Sequence, residues 1–399
     1  MTAVQVVVAM GTFALSVLAP QLGVDVQALG VLGSVLFGAG AVSSITSGWM
    51  IRRFGDLPLA ALCMAAVMLA MICLACGATT SGLTAWALWP AVLLLGIAFG
   101  PETPACASVL ARVTPLLRRP WIFSVRQTGN QIGAMVGSLA LPWLLVMHAA
   151  LPFAFVAALA LGVGWWCHRL VTSDGGALAM AGMTGNSGHI GHSGDGHPSV
   201  DSGTSATSGL GELLRSPALR MLTATMVVFM ATQVCLNFFV MSHAVHHWQL
   251  PVREAARWVA LMQGAGLVGR LLWGRVALRP GVITARLLGG LGLLIGSAGL
   301  LLFLWPGTPP ASALAVLFGL IGLSASGWNG VMVAEVARLA GPARAGAVTG
   351  AALMFGYGGL ALAPVAFAAA GTAWGTSAAY AGLLVATAAM GACLLLPRR

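Results

Sequence analysis

Lysine is absent from this 399-residue chain, and acids are scarce: nine Asp and Glu stand against 19 Arg. Charged residues make up 7% of the sequence, where a soluble protein carries roughly 25%. That shortfall excludes an ordinary water-soluble domain. Seven cysteines are present, but all fall in or at the edges of apolar runs, at 63, 73, 76, 106, 167, 235 and 393. They form neither a disulfide framework nor a zinc spacing. Cys73 and Cys76 have the spacing of a redox pair, yet inside an apolar helix they read as packing. A nucleophile elbow, a phosphate loop and a metal-ligand helix are missing too. Nothing points to an enzyme, and no cofactor or metal is expected.

What is present is apolar length. Hydrophobic residues make up 59% of the chain, and a helix needs about 20 of them to cross the hydrocarbon core of a bilayer. Hydropathy predicts twelve spans, at 3–22, 28–51, 57–78, 87–112, 122–147, 151–170, 219–245, 252–276, 282–305, 311–338, 344–370 and 374–396. Strands of a membrane barrel would be shorter and strictly alternating. The fold class expected is therefore an all-α membrane protein.

Arginine sets the orientation. Sixteen of the 19 lie after even-numbered spans or at the C-terminus, Arg253 and Arg257 lie on the other side, and Arg270 is inside a span. The positive-inside rule then puts both termini in the cytoplasm. The net charge of +10 is spread over short loops, which argues against nucleic acid as a partner. The first span has no basic leader and no cleavage site, so it reads as a retained helix.

The longest polar segment, 172–216, is rich in Gly, Ser, Thr and His. It is expected to be a flexible linker between an N-terminal unit, 1–171, and a C-terminal unit, 217–399. His189, His192 and His197 with Asp195 either bind a metal or belong to a solvated tether.

The two units repeat one another. "GAGAVSSITSGWMIRRFG" at 38–55 and "GAGLVGRLLWGRVALRPG" at 264–281 align at an offset of 226. Gly38, Gly40, Val42, Gly48, Arg53 and Gly55 match Gly264, Gly266, Val268, Gly274, Arg279 and Gly281. Gly96 matches Gly322 and Arg112 matches Arg338 at the same offset, and "GSLALP" at 137–142 resembles "GLALAP" at 359–364. Two six-helix halves in one orientation are the parallel-repeat layout of a large transporter class. The repeated glycines let helices approach closely and slide.

On these residues the chain resembles the major facilitator superfamily. The resemblance covers all twelve spans, the central loop and the signature between spans two and three, present here as Gly48, Arg52, Arg53, Gly55 and Asp56. Arg53 and both glycines match that signature. Its usual Asp is replaced by Arg52, and an acid follows late, at Asp56. In the family the Asp helps lock the halves together on the cytoplasmic side. "FSVRQTGNQIG" at 123–133 is similar to the start of span five in relatives of the cyanate and nitrate–nitrite carriers. The resemblance implies two pseudo-symmetric six-helix bundles and alternating access.

Polar groups deep in spans are the candidate site residues, because burying them in a bilayer is expensive. Arg270 lies in span eight, about 9 Å to the cytoplasmic side of its midpoint at the helical rise. It either binds an anion or snorkels to the interface. The resemblance adds that span-eight arginines bind anions in some carriers. Glu102, in "GPETPA" of span four, suits proton coupling, or a counter-ion for Arg126 or Arg270, or a backbone partner beside Pro101 and Pro104.

Arg126, expected as the anion's second charge partner after Arg270, leads Gln127, Asn130 and Gln131, which share one helical face. Gln233, Asn237, Gln263, Trp328, Asn329 and Tyr357 lie at similar depth. Each either lines a cavity or bonds to a neighbouring helix. Gly48, Arg53, Gly55, Asp56, Gly274, Arg279, Arg112, Glu335 and Arg338 are candidate gating residues. His243, His246 and His247 have a metal-binding spacing but, lacking an acid or thiol, also suit interfacial packing.

The expectation is a monomeric inner-membrane secondary transporter of a small anion, coupled to protons. The runner-up is efflux of amphipathic drugs, which the Met- and Trp-rich spans favour. A transporter-fold sensor and a membrane enzyme are minor alternatives.

Overall fold

The computed structural model describes residues 1–80, 85–113, 125–184, 202–341 and 344–396. Among these every element is a helix. In chain order they are α1 (Thr2–Leu22), α2 (Val26–Phe54), α3 (Asp56–Thr80), α4 (Ala85–Val113), α5 (Gly129–Met147), α6 (Leu151–Thr184), α7 (Ser202–Arg215), α8 (Pro217–His246), α9 (Val252–Ala277), α10 (Thr284–Phe303), α11 (Ala311–Ala325), α12 (Trp328–Ala340), α13 (Ala345–Trp374) and α14 (Thr376–Leu395). Local chemistry marks the ends. Asp25 caps α2 by accepting from the Ala28 N–H at 2.6 Å, and Ser216 caps α8, with Pro217 in its first turn. Gly55 separates α2 from α3 at φ +86°, a backbone setting that disfavours any side chain.

Among the described residues, eleven spans are long and apolar enough to cross a membrane. The expected eighth span, α9, is not one of them. It is a 26-residue helix, but it carries Arg253, Glu254, Arg257, Arg270 and Arg275. It nonetheless packs inside the bundle, against α5 and α11.

The packing repeats as the sequence does. The pairs α1–α5, α2–α4, α3–α4 and α3–α6 of the first half recur as α8–α13, α9–α11, α10–α11 and α10–α14 of the second. The halves meet along α2–α13 and α5–α9, which are each other's counterparts. A Cβ on Gly96 would collide with the Leu36 carbonyl, and one on Gly322 with the Met262 carbonyl. Both members of these contacts are related by the same offset of 226.

The expected tenth span is present over Ala311–Ala340, with one turn inside it. The turn falls at Ser326–Gly327, where the Trp273 indole N–H donates to the Leu323 carbonyl at 2.9 Å. Gly327 N–H turns instead to the Ser324 carbonyl. Parts of the segment expected to be a tether are helical. Helix α6 continues past 171 to Thr184, and 202–215 forms α7. Leu213 of α7 is buried, and Glu212 pairs with Arg344 at 2.6 Å, so α7 docks on the start of α13. Averaged composition hid the apolar face made by Leu210 and Leu213. His189, His192, His197 and Asp195 lie outside the described residues.

At the end opposite the termini the halves are in contact. The Val365 N–H donates to Ser34 Oγ at 3.0 Å, and Gly30 packs against Pro364 and Ala368. Phe238 meets Phe13 and Phe37 edge-on, at 5.9 and 5.4 Å. Toward the termini Gly38, Gly346, Gly350 and Gly358 have open space where a side chain would start.

Candidate functional site

A cavity of about 490 Å³ lies between the halves. Phe13, Phe37 and Phe99 contribute to its lining from the first half, two of them in the aromatic contact with Phe238 that joins the halves. Glu102 and Thr103 of α4 and Gln127 and Asn130 at the start of the fifth span form one polar wall. Arg270 faces it from α9. The other wall is mainly apolar and belongs to the second half: Met226, Met230, Trp328, Val333, Leu353 and Leu360. Gln233, Asn237, Asn329 and Tyr357 interrupt it.

The two deep arginines differ in their partners. Arg126 is 2% exposed and donates to Glu102 Oε1 at 2.6 Å. Thr103 completes the cluster, donating to Glu102 Oε2 at 2.9 Å and accepting from Arg126 at 3.2 Å. This charge is therefore neutralised inside the first half. Arg270 has no acidic partner among the described residues. Its Nη1 donates to Gln127 Oε1 at 3.0 Å and to the Gln127 carbonyl at 3.3 Å, across the seam between halves. Its Nε is buried and unpartnered. A guanidinium held only by neutral acceptors keeps its full charge at the cavity wall.

The amides sort themselves by position. Asn329 donates to Gln233 Oε1 at 3.2 Å. Gln263 lies behind the wall and donates to Asn237 Oδ1 at 2.9 Å. Of the three amides expected on one face, Gln127 and Asn130 line the cavity and Gln131 does not. Gln131 is fully buried against Gly266 in the α5–α9 seam, and both its amide atoms are unpartnered. The three amides keep one helical face, and Gln131 stands at the edge of it that turns to Gly266 of α9. Arg126, expected to meet the anion directly, also stands behind the wall, paired with Glu102. Gln5 of α1 lines the cavity with a buried, unpartnered Oε1. Its signal was legible as an isolated amide in an apolar helix. The Phe and Met residues gave no such contrast.

The gating candidates lie toward the end that carries the termini. Glu335 is buried and holds Arg338 through two hydrogen bonds of 2.8 Å, within α12 and not across the seam. Gly48 approaches only its own Arg52, and Gly274 has open space. Arg53 lies in the last turn of α2, and Arg279 lies just beyond α9. Asp56 is buried at the start of α3. The Arg112 side chain lies outside the described residues.

A second cavity of about 170 Å³ lies at the opposite end, lined by Ser242, His243, His246, His247 and Thr376 among others. His243 Nδ1 is 2.8 Å from Thr376 Oγ1, and its ring stacks on His247 at 4.6 Å. Trp248, Phe303 and Tyr380 surround it edge-on. Among the described residues no three His, Cys, Asp or Glu are arranged to hold a metal.

Known proteins resemble the whole of this architecture. A family model described as Major Facilitator Superfamily matches residues 1–364. A mutant form of the nucleoside transporter NupG superposes with a TM-score of 0.73 at 12% identity, covering 99% of both chains. The peptide transporter POT in complex with sulfate gives 0.72 at 17% identity, over 99% of this chain and 92% of its own. A bacterial homolog of the human lysosomal transporter Spinster, inward-facing and unoccupied, gives 0.67 at 16% identity, over 99% and 93%. No curated protein matches the chain by sequence. At these identities the solved structures share a fold with the chain, and the peptides or nucleosides of their names remain theirs.

Proposed function

The chain belongs to the major facilitator superfamily, a multi-pass membrane transporter and not an enzyme, and on that premise we propose that it carries a small anion by alternating access coupled to protons. The observation that supports this reading is the contrast between the two arginines. Arg126 is already paired with Glu102, whereas Arg270 faces the cavity with its charge unneutralised. An unpaired guanidinium in a membrane helix costs about 2.5–3.5 kcal/mol on insertion scales, and an anionic substrate offsets that cost in the bound state. Arg270, Gln127, Asn130, Gln233, Asn237, Asn329, Trp328 and Tyr357 are the proposed substrate contacts, with Arg126, Gln131 and Gln263 supporting them from behind.

Glu102 is the proposed proton site. Protonation would remove its pairing with Arg126 and loosen the polar wall, which links proton binding to substrate release. The end bearing the termini is assigned to the cytoplasm from the arginine distribution, so this conformation faces inward. Residues 1–171 and 217–399 are the two rocking units, joined by 172–216, and the protein acts as a monomer in the inner membrane. Gly48, Arg53, Gly55, Asp56, Gly274, Arg279, Arg112, Glu335 and Arg338 are the proposed elements of the inner gate.

Efflux of amphipathic compounds keeps support as a second reading, because Met226, Met230 and Leu353 make one wall apolar. Counterflow into proteoliposomes loaded with unlabelled compound separates the two. Labelled small anions should exchange saturably, and an imposed proton gradient should drive their accumulation. Exchange of cationic drugs without any anion exchange would replace the first reading by the second.

A further inference from the structure

The cavity is built asymmetrically, and the asymmetry specifies the substrate beyond its sign. Its charge balance is the first observation. Glu102 and Arg126 cancel, which leaves Arg270 as the unneutralised charge among the described lining residues. One positive charge complements one negative charge. A second carboxylate or a doubly charged phosphate would meet either the amides or the Glu102 side of the polar wall.

The second observation is the distribution of apolar surface. Met226, Met230, Val333, Leu353 and Leu360 of the second half face the polar wall across the cavity, and Phe13, Phe37 and Phe99 complete the apolar lining. Such a surface gives nothing to a hydrated inorganic ion, which would sacrifice its water there without replacement. It favours an apolar body, because removing such a body from water is favourable in proportion to its area. Methionine adds tolerance of shape, since its flexible, polarisable side chain repacks around different outlines. The volume of about 490 Å³ is in the range of pockets that enclose organic ligands, and far exceeds what a bare nitrate-sized ion fills.

We infer that the substrate is an amphipathic organic monoanion, with its carboxylate or sulfonate on Arg270 and its aliphatic or aromatic body against the Met226–Met230–Leu353 wall. This rests on the anion reading above and narrows it. Arg270 and Gln127 hold the two halves together at the seam. An anion that takes the Nη1 donor from Gln127 loosens that hydrogen bond, so the charged head also meets the contact that must change when the halves rock.

The test is a binding ladder on the detergent-purified full-length chain, read by ligand-induced thermal shift. The probes are acetate, butyrate, hexanoate and phenylacetate; methanesulfonate and benzenesulfonate, which stay ionised; succinate as a dianion; nitrate; and hexanol as a neutral control. Affinity should rise roughly fourfold per buried methylene and vanish in Arg270→Gln. Met230→Gln should flatten the ladder. Arg270→Lys, which keeps the charge but loses the fork, should bind the same series more weakly. A cooperative melt of each variant confirms that it is folded.

The outcomes separate the two claims. Acetate, nitrate or succinate binding as tightly as hexanoate, and still requiring Arg270, would overturn the amphipathic substrate and leave the anion reading standing. Hexanol binding as well as hexanoate would overturn the charged head. No anion binding to folded protein would overturn both.

Discussion

The two halves of this molecule share a scaffold and differ in their chemistry. Gly96 against Leu36 and Gly322 against Met262 are the same backbone contact made twice, 226 residues apart. Phe13 and Phe239 also occupy equivalent positions by that offset, and both are in the aromatic chain that runs through Phe238. At cavity depth the equivalence stops at the polar positions. Glu102 and Thr103 of the first half stand where the second half has Trp328 and Asn329, and Arg270 of the second stands where the first has Ser44. The repeat is preserved where helices touch, because a side chain added there meets backbone. It is lost at the polar lining positions 102, 103 and 270, while the apolar pair Val8 and Val234, both on the cavity, keeps it.

The contrast predicts opposite responses to removing charge. Glu102→Ala strands Arg126 as a buried, unpaired cation, and should lower the stability of the purified protein by about 3–5 kcal/mol. Arg270→Gln removes a charge that already lacks an acidic partner, and should leave the melting temperature unchanged or raise it. Equal losses from both would mean that Arg270 is as well compensated as Arg126, and the distinction between the halves would fail. A smaller effect tests the shared scaffold. Gly96→Val and Gly322→Val each force apart a helix pair in tight backbone contact, and each should cost about 1–3 kcal/mol by overpacking. Melting curves that differ widely between these two would show that the repeated contact is not energetically repeated.

Much of the fold is legible because hydropathy and the 226-residue offset are properties of the sequence itself. The spans agree with the helices within a few residues, apart from what long-range contacts decide. The turn at Ser326–Gly327 depends on Trp273, on another helix, competing for the Leu323 carbonyl. The docking of α7 rests on Leu213 and on the close approach of Gly209 to Ala347, more than 130 residues away in the chain.

The site is legible at its polar positions and not at its apolar ones. Arg270, Gln127, Asn130, Gln233 and Asn237 stand out in apolar helices and do line the cavity. Met226 and Phe99 line it too, but among so many apolar neighbours they carry no local mark. Sequence also leaves Glu102 a choice between Arg126 and Arg270, which only three-dimensional placement resolves in favour of Arg126. The face rule puts Gln131 beside Gln127, and the packing of α5 on α9 at Gly266 covers that edge of the face.

One guanidinium, that of Arg270, carries the proposed transport. Saturable counterflow of a labelled organic anion, measured side by side for the wild-type chain and Arg270→Gln in proteoliposomes, tests it most directly. Saturable exchange is expected in the wild type and its loss in the variant, with melting behaviour preserved. Undiminished anion exchange by a folded Arg270→Gln protein would contradict that role.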